Sequence, residues 1–521
     1  MSWGLLVKRR EPRPINPYVD QKTTKPAVNT SSEDRRRVIV VGGGITGLAA
    51  AHRVVELQPS IEVLLLEAED RLGGVLRTER VDGFHIEASA DNFITEPNWG
   101  LELCRRIGIE DEIVSTDASS RGASVVCHGR LEPVPEGFLL MSPTRVWPVL
   151  STRILSPRGK LRLMLEPFIP RRKSADDESF ASFARRRLGR EAYERLAQPL
   201  ISGIYTADPE KLSMQAALPR FAEMEQNAGS LWRAARRQAR RRASRRKSSG
   251  ARYELFVAPR SGMSRLATAL KERLPAGAVR LDSPVSELKA TGDRRWSVSV
   301  DSGDSDESVL SADAVIVALP APRAARLLRD VDDELGRLMR QIKYAGCVIV
   351  VTAFRRDQIG RHLDGFGLVV PEVEGRRILA CSYSSVKFPD RAPKEHVLMR
   401  VFLGGACHEE MQSLDDATLQ AITQQELREL LHTTGKAVLE KVYRWNQRMP
   451  QYQVGHTERV ARIEQRAAAL VGLELAGNAY HGVGVPSCIH SGESAAERVV
   501  ALLNNVPLVA NRRRLSDTGE G

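Results

Sequence analysis

Ten residues constrain this chain more than any others: Val38–Gly47, reading Val-Ile-Val-Val-Gly-Gly-Gly-Ile-Thr-Gly. Four β-branched residues predict a short buried strand, and Gly42, Gly44 and Gly47 follow at GxGxxG spacing. The first glycine turns the chain, the second lets backbone amides approach a pyrophosphate, and the third lets the next helix pack on the strand. That helix, predicted from Ile45 to about Leu57, aims its positive end at phosphates. Gly42, Gly43, Gly44, Ile45, Thr46 and Gly47 are therefore candidate cofactor contacts. A second strand, Ile61–Leu66, ends in Glu67, 25 residues after Gly42. A carboxylate at about that distance suits a ribose hydroxyl and disfavours a 2′-phosphate.

A chain of 521 residues holds two or three domains, and 42% hydrophobic residues suffice for real cores. The net charge of +12 suggests nucleic acid, but its distribution argues otherwise. Residues 233–252 carry ten Lys/Arg and no acid, residues 1–37 nine bases against four acids, and the last ten three against two. Setting those excesses aside leaves the body at about −4, so no nucleic-acid surface is expected. The six cysteines form no CxxC pair and the ten histidines no HExxH cluster, so neither a disulfide framework nor a metal site is predicted. No run approaches the ~18 apolar residues of a membrane span, and no apolar signal core opens the chain. The expected location is cytoplasmic, with a peripheral contact on the inner face of the cell membrane and a homodimer left open.

After Glu67 the chain reads Ala68-Glu-Asp-Arg71-Leu-Gly73-Gly74-Val75. A second glycine pair so soon lets the backbone lie tight against a cofactor that extends past its pyrophosphate. Glu67-x-x-x-Arg71-Leu72-Gly73-Gly74 after a GxGxxG strand resembles the two-dinucleotide-binding-motif flavoproteins, which include amine oxidases, phytoene desaturases and protoporphyrinogen oxidases. A second match lies far away, in Leu475-Ala-Gly477-Asn-Ala-Tyr-His-Gly482-Val483-Gly484-Val485-Pro486, followed by a helix expected over Ser487 to about Leu503. Ser182-Phe183-x-x-Arg186-x-Leu188-Gly189 and Pro199–Tyr205 narrow the resemblance to the protoporphyrinogen oxidases, over about residues 36–504.

The resemblance implies non-covalent FAD. Glu67, Ala68, Arg71, Gly74, Val75, Asp91, Asn92, Val285, Trp445, Gly477, Val483, Gly484 and Val485 then join the glycine loop as cofactor contacts. Relatives place Gly-Pro beside the flavin where this chain has Ser89–Asn92. Arg121 matches an arginine that pairs with a substrate propionate. Gly203, Phe366, Val369 and Phe402 are the implied substrate contacts, the apolar ones lying against a flat tetrapyrrole. His85 alternates with apolar neighbours and is expected to be a packed or surface residue rather than a catalytic one. No side chain declares itself a general base.

The expected fold is α/β, a Rossmann-like FAD-binding domain with a mixed-sheet substrate domain and a helical insertion. The FAD domain takes residues 35–118, 252–322 and 444–505, and the substrate domain 119–135 and 323–443. The insertion, 136–251, ends in the basic tract 233–252, and residues 1–34 and 506–521 are expected to be disordered. The implied reaction is oxidation of protoporphyrinogen IX in heme biosynthesis, with dioxygen as acceptor. Three alternatives stand beside it. One is coproporphyrinogen III as substrate. Another is an amine oxidase, which usually has an aromatic pair facing the flavin, with Trp445 and Tyr480 as the candidate pair. The third is a flavin-binding scaffold docked to a membrane through Arg233–Arg252.

Overall fold

The computed structural model describes residues 35–117, 122–143, 145–174, 176–237, 255–292, 295–301 and 308–505. The β-branched run forms the strand Arg37–Val41, and Val38, Ile39 and Val40 are wholly buried because both faces of their sheet are covered. Five parallel strands make that sheet, in the order Val279–Arg280, Glu62–Leu66, Arg37–Val41, Ala314–Val317 and Leu473–Leu475. On one face pack the helices Ile45–Leu57, Ser264–Glu272 and Val485–Asn505. The first and last of these cross so closely that a Cβ on Gly492 would collide with the Thr46 carbonyl. On the other face lie a three-stranded antiparallel sheet, Val285–Ala290, Trp296–Val300 and Ser308–Ala312, and the helices Ala321–Leu328, Asp333–Arg340 and His456–Ala468.

A seven-stranded sheet forms the second layer, ordered Leu439–Pro450, Tyr344–Arg355, His396–Gly404, Ala380–Tyr383, Gly367–Val369, Ser124–Cys127 and Arg130–Pro133. Its outer face is closed by the helix Asp416–Leu431, and its inner face meets Phe84 and Ile86 of the strand Phe84–Glu87. The third layer is helical, running from Trp147–Ser151 to Pro219–Ala228 around its own core of Phe180, Phe183, Leu196, Ile201 and Phe221.

Several expected boundaries move. The helices Ala321–Leu328 and Asp333–Arg340 bury their apolar stripes on the parallel sheet, so the first domain runs beyond 322. Residues 444–450, assigned to the FAD domain, continue the strand Leu439–Pro450 of the second sheet. Within the helical insertion, residues 190–205 form Arg190–Ala192, a π turn at Tyr193–Ala197 and Gln198–Tyr205 rather than one continuous helix. Pro199 has no N–H to continue an α ladder, and the wider turn absorbs the break. The C-terminal helix starts at Val485 rather than Ser487, so Val485 sits in its first turn. The expected disordered ends and basic residues 238–252 lie outside the described residues.

Candidate active site

The helix Ile45–Leu57 begins without a capping side chain and without an acid in its first turn. Its free N–H groups and positive end therefore wait for an external anion. Gly42 turns at φ +109° against the Ala318 carbonyl, while a Cβ on Gly43 would strike Leu72 and Glu67. Gly44 differs: nothing lies within 4 Å of where its Cβ would be. The loop is closed on three sides and open at the residue expected to face the pyrophosphate.

Glu67 is half-buried, its Oε2 accepting from the Gly43 amide at 2.5 Å and its Oε1 from Glu69 N at 2.9 Å. The Ser283 amide reaches the Glu67 carbonyl at 2.8 Å and so brings Val285 to the same end. Arg71 donates to the carbonyls of Gly74 and, at 3.3 Å, Leu76, so it braces the second glycine pair. Gly74 in turn packs on Gly44. A cavity of about 750 Å³ opens here, lined by Arg71, Arg77, Asp282, Tyr443 and Trp445 among others.

The C-terminal turn closes the other side. Gly477 N donates to Ser491 Oγ at 3.0 Å, and Val485 packs on the core beneath the parallel sheet. Val483 leans instead on the helical layer. Tyr452 clasps the turn: its hydroxyl donates to the Asn478 carbonyl at 2.6 Å and accepts from Gly482 N at 2.7 Å. Its ring stacks on His456, centroids 4.0 Å apart, and burial pushes the His456 imidazole down to about 4. Sequence reading passed over Tyr452, because a tyrosine two residues after a proline carries no local signal.

Between these elements runs Ala88–Asn92. Ser89 Oγ donates to the Val75 carbonyl at 2.6 Å and Trp445 Nε1 to the Ala88 carbonyl at 2.7 Å. The amides of Ser89, Ala90, Asp91 and Asn92 have no acceptor among the described residues. Four adjacent unpaired N–H groups, half-buried or buried, call for a polar ligand. Asp91, expected to touch the cofactor, gives its carboxylate to Lys387 Nζ at 3.1 Å and Arg400 Nη1 at 3.3 Å. Asn92 donates to that carboxylate at 2.5 Å. Burial would raise the Asp91 carboxyl, but Lys387, Arg400 and Arg391 override it and hold it well below the usual carboxylate range. His85 is buried with Nε2 3.3 Å from Glu87 Oε1, a packed residue as expected.

Strand register settles what faces this segment. Val125, Val369, Ala380, Phe402, Ile349 and Tyr443 are paired in turn across the second sheet, so their side chains share one face. Gly203 approaches the same row, and a Cβ there would lie 3.8 Å from Val369 Cγ1. Three of the five expected substrate residues are thus brought to one apolar surface. Phe366 stands just outside the row, its amide donating to Gly122 O at 2.8 Å, and Arg121 lies outside the described residues. Trp445 and Tyr480 are not a pair. Trp445 packs on the inner sheet face, while Tyr480 is buried in the core on the far side of the parallel sheet. An aromatic pair built from these two residues is therefore ruled out.

Comparison with known proteins agrees with this architecture. The flavin containing amine oxidoreductase family matches residues 45–500. The chain belongs to this family. It is 35% identical to the coproporphyrinogen III oxidase of Propionibacterium freudenreichii subsp. freudenreichii, covering 93% of this chain and 94% of that one. It is 27% identical to protoporphyrinogen oxidase 2 of Arabidopsis thaliana, over 90% and 95% of the two chains. A crystal structure from Exiguobacterium sp. 255-15, described as a protoporphyrinogen oxidase, superposes with a TM-score of 0.77 at 29% identity, over 91% and 99%. The cofactor of this family is a flavin. The open face at Gly44, the uncapped helix and the four unclaimed amides are the groups that fit it.

Proposed function

We propose that the protein oxidises a porphyrinogen to the corresponding porphyrin, with bound FAD as electron acceptor and dioxygen reoxidising it. One observation carries the reading: a row of apolar side chains, Val369, Ala380, Phe402 and Ile349, crosses the sheet face that the flavin segment Ala88–Asn92 abuts. A flat macrocycle needs such a face, and the relatives act on such macrocycles. Coproporphyrinogen III is the substrate we favour, because the coproporphyrinogen III oxidase relative is 35% identical and the plant protoporphyrinogen oxidase 27%. Protoporphyrinogen IX is the second reading.

FAD, when bound, supplies a two-electron acceptor for hydride from the reduced macrocycle. The protein's residues do the rest. The sheet row orients the ring and excludes water, the Ser89–Asn92 amides and the Val485 helix end supply positive dipoles, and Tyr452 fixes the turn. Aromatisation of the product drives the reaction without a dedicated base.

Anaerobic mixing of the yellow protein with each porphyrinogen tests this directly. Bleaching of the flavin band as the first two electrons are taken, followed by porphyrin fluorescence once dioxygen is admitted to recycle the flavin, both faster with coproporphyrinogen III, is the expected result; no bleaching with either substrate sinks the reading. Gly44→Val tests the cofactor site separately. The side chain has room in the apoprotein, so the variant should keep its far-ultraviolet dichroism yet purify colourless.

A peripheral membrane contact is supported by the helical layer. Trp147, Phe168 and Leu161 are 77%, 76% and 63% exposed, and the bases Arg145, Arg153, Arg158 and Arg171 of the same stretch of chain are exposed too. Exposed apolar side chains together with cations suit the interface of an anionic bilayer. Among the described residues no helix is long and apolar enough to cross a membrane. Co-sedimentation with anionic vesicles, lost in a Trp147→Ser, Phe168→Ser double variant, is the expected outcome.

A further inference from the structure

One buried cluster remains without a task. Lys387 ends the short helix Ser384–Lys387, Arg391 follows in the turn Pro389–Arg391, and Arg400 lies on the strand His396–Gly404. All three converge on Asp91 and Glu87. Lys387 Nζ is 3.1 and 3.3 Å from the two Asp91 oxygens, and Arg400 Nη1 is 3.3 Å from Asp91 Oδ2. Arg391 Nη2 donates to the Asp91 carbonyl at 2.9 Å and lies 3.9 Å from Glu87 Oε1. Glu87 also accepts from Met263 N and Thr78 Oγ1, both at 3.0 Å. No other carboxylate among the described residues pairs with these cations. Three positive groups face two negative ones; Glu87, Asp91, Arg391 and Arg400 are buried and Lys387 is half-buried beside them.

The backbone gives the cluster a direction. Trp445 Nε1 holds the Ala88 carbonyl, Arg400 the Ser89 carbonyl and Arg391 the Asp91 carbonyl. In a trans peptide unit the N–H points opposite its C=O. Holding those three carbonyls therefore points the amides of Ser89, Ala90 and Asn92 away from Trp445, Arg400 and Arg391 respectively. These are among the amides that no protein group claims.

We infer that Lys387, Arg391 and Arg400 form an electrostatic brace for the flavin: Arg391 and Arg400, with Trp445, aim the Ser89, Ala90 and Asn92 amides at it, and the three cations together leave uncompensated positive charge behind those amides that favours its reduced, negatively charged state. The inference rests on the flavin site proposed above and is independent of which porphyrinogen is oxidised. These are positioning and tuning residues. A charge fixed in a low-dielectric interior acts at longer range than the same charge in water, so the cations need not touch the cofactor.

The test uses the FAD-loaded protein and no porphyrinogen. Its readouts are the two-electron midpoint potential by dye equilibration and the dissociation constant for sulfite, whose flavin adduct is negatively charged. Lys387→Met removes one cation and Glu87→Gln one anion from the same network. Lys387→Met should disfavour the reduced flavin at least tenfold, about 30 mV for a two-electron couple, and weaken sulfite binding by a similar factor. Glu87→Gln should shift both readouts the opposite way, and Lys387→Arg should restore the parent values. A purely structural cluster predicts shifts of one sign, or none. Same-sign shifts, or changes under threefold with FAD retained, overturn the inference. Should Lys387→Met fail to hold FAD, Arg391→Met takes its place with the same expected sign and the same overturning result.

Discussion

Two buried ionic clusters sit in this molecule and are built on opposite terms. In the helical layer Arg172, Arg186 and Arg187 meet Glu166, Glu178 and Glu225, charge for charge. Arg187 and Glu166 are both fully buried. Glu166 also accepts from Ser230 Oγ at 2.6 Å and Leu231 N at 2.9 Å, and Arg187 donates to the carbonyls of Ile169 and Gly229. Around Asp91, by contrast, cations outnumber anions: Lys387, Arg391 and Arg400 face Asp91 and Glu87. The first arrangement holds helices together. The second keeps charge where folding alone would not place it, which is the mark of a site that trades stability for chemistry.

The comparison breaks or sharpens under substitution. Arg187→Met should be the most damaging change, about 3–5 kcal/mol in chemical denaturation, because it strands Glu166 without its cation. Its flavin potential should nevertheless match the parent. A potential shift there would erase the distinction between the clusters.

His456, under the clasp on the flavin turn, gives the next largest effect. Its folded value of about 4 lies below the ordinary histidine value, so the unfolded chain binds the proton first as pH falls. Stability is complete above about pH 6.5 and declines from there to about pH 4, by roughly 3 kcal/mol. His456→Phe, which keeps the ring on Tyr452, should flatten that limb of a Tm-against-pH curve.

Lys387→Met should cost the least, on the order of 1 kcal/mol or less, since it leaves two arginines facing two carboxylates. Burial pushes the Lys387 ammonium down from the lysine range, with Asp91 opposing. The unfolded state then holds more protons as pH approaches the ordinary lysine value, so parent stability should gain with rising pH there. Urea midpoints measured along that limb should show the gain in the parent and lose it in Lys387→Met.

Part of this was legible in the chain. Val38–Gly47 and Glu67 announce a nucleotide strand, helix and ribose carboxylate, because those demands act within one βαβ unit. Gly482–Val485 was legible by resemblance, although its helix starts earlier than expected. Val369 and Phe402 could be named, yet only strand pairing puts them in one row with Gly203 beside it. The brace could not be read at all. Lys387 is 296 positions from Asp91, and in sequence it is an ordinary surface lysine.

The sequence by itself determined the glycine loop and the buried strands, because each depends on residues within a few turns of one another, and the kind of cofactor through motifs at both ends of the chain that resemble one family. Only the tertiary structure decided which face the apolar row presents, that the Asp91 carboxylate meets Lys387 and Arg400, and that Trp445 and Tyr480 lie in separate cores. Those outcomes depend on which side of a sheet a residue faces and on charges brought together across hundreds of positions. Neither is fixed until the layers pack.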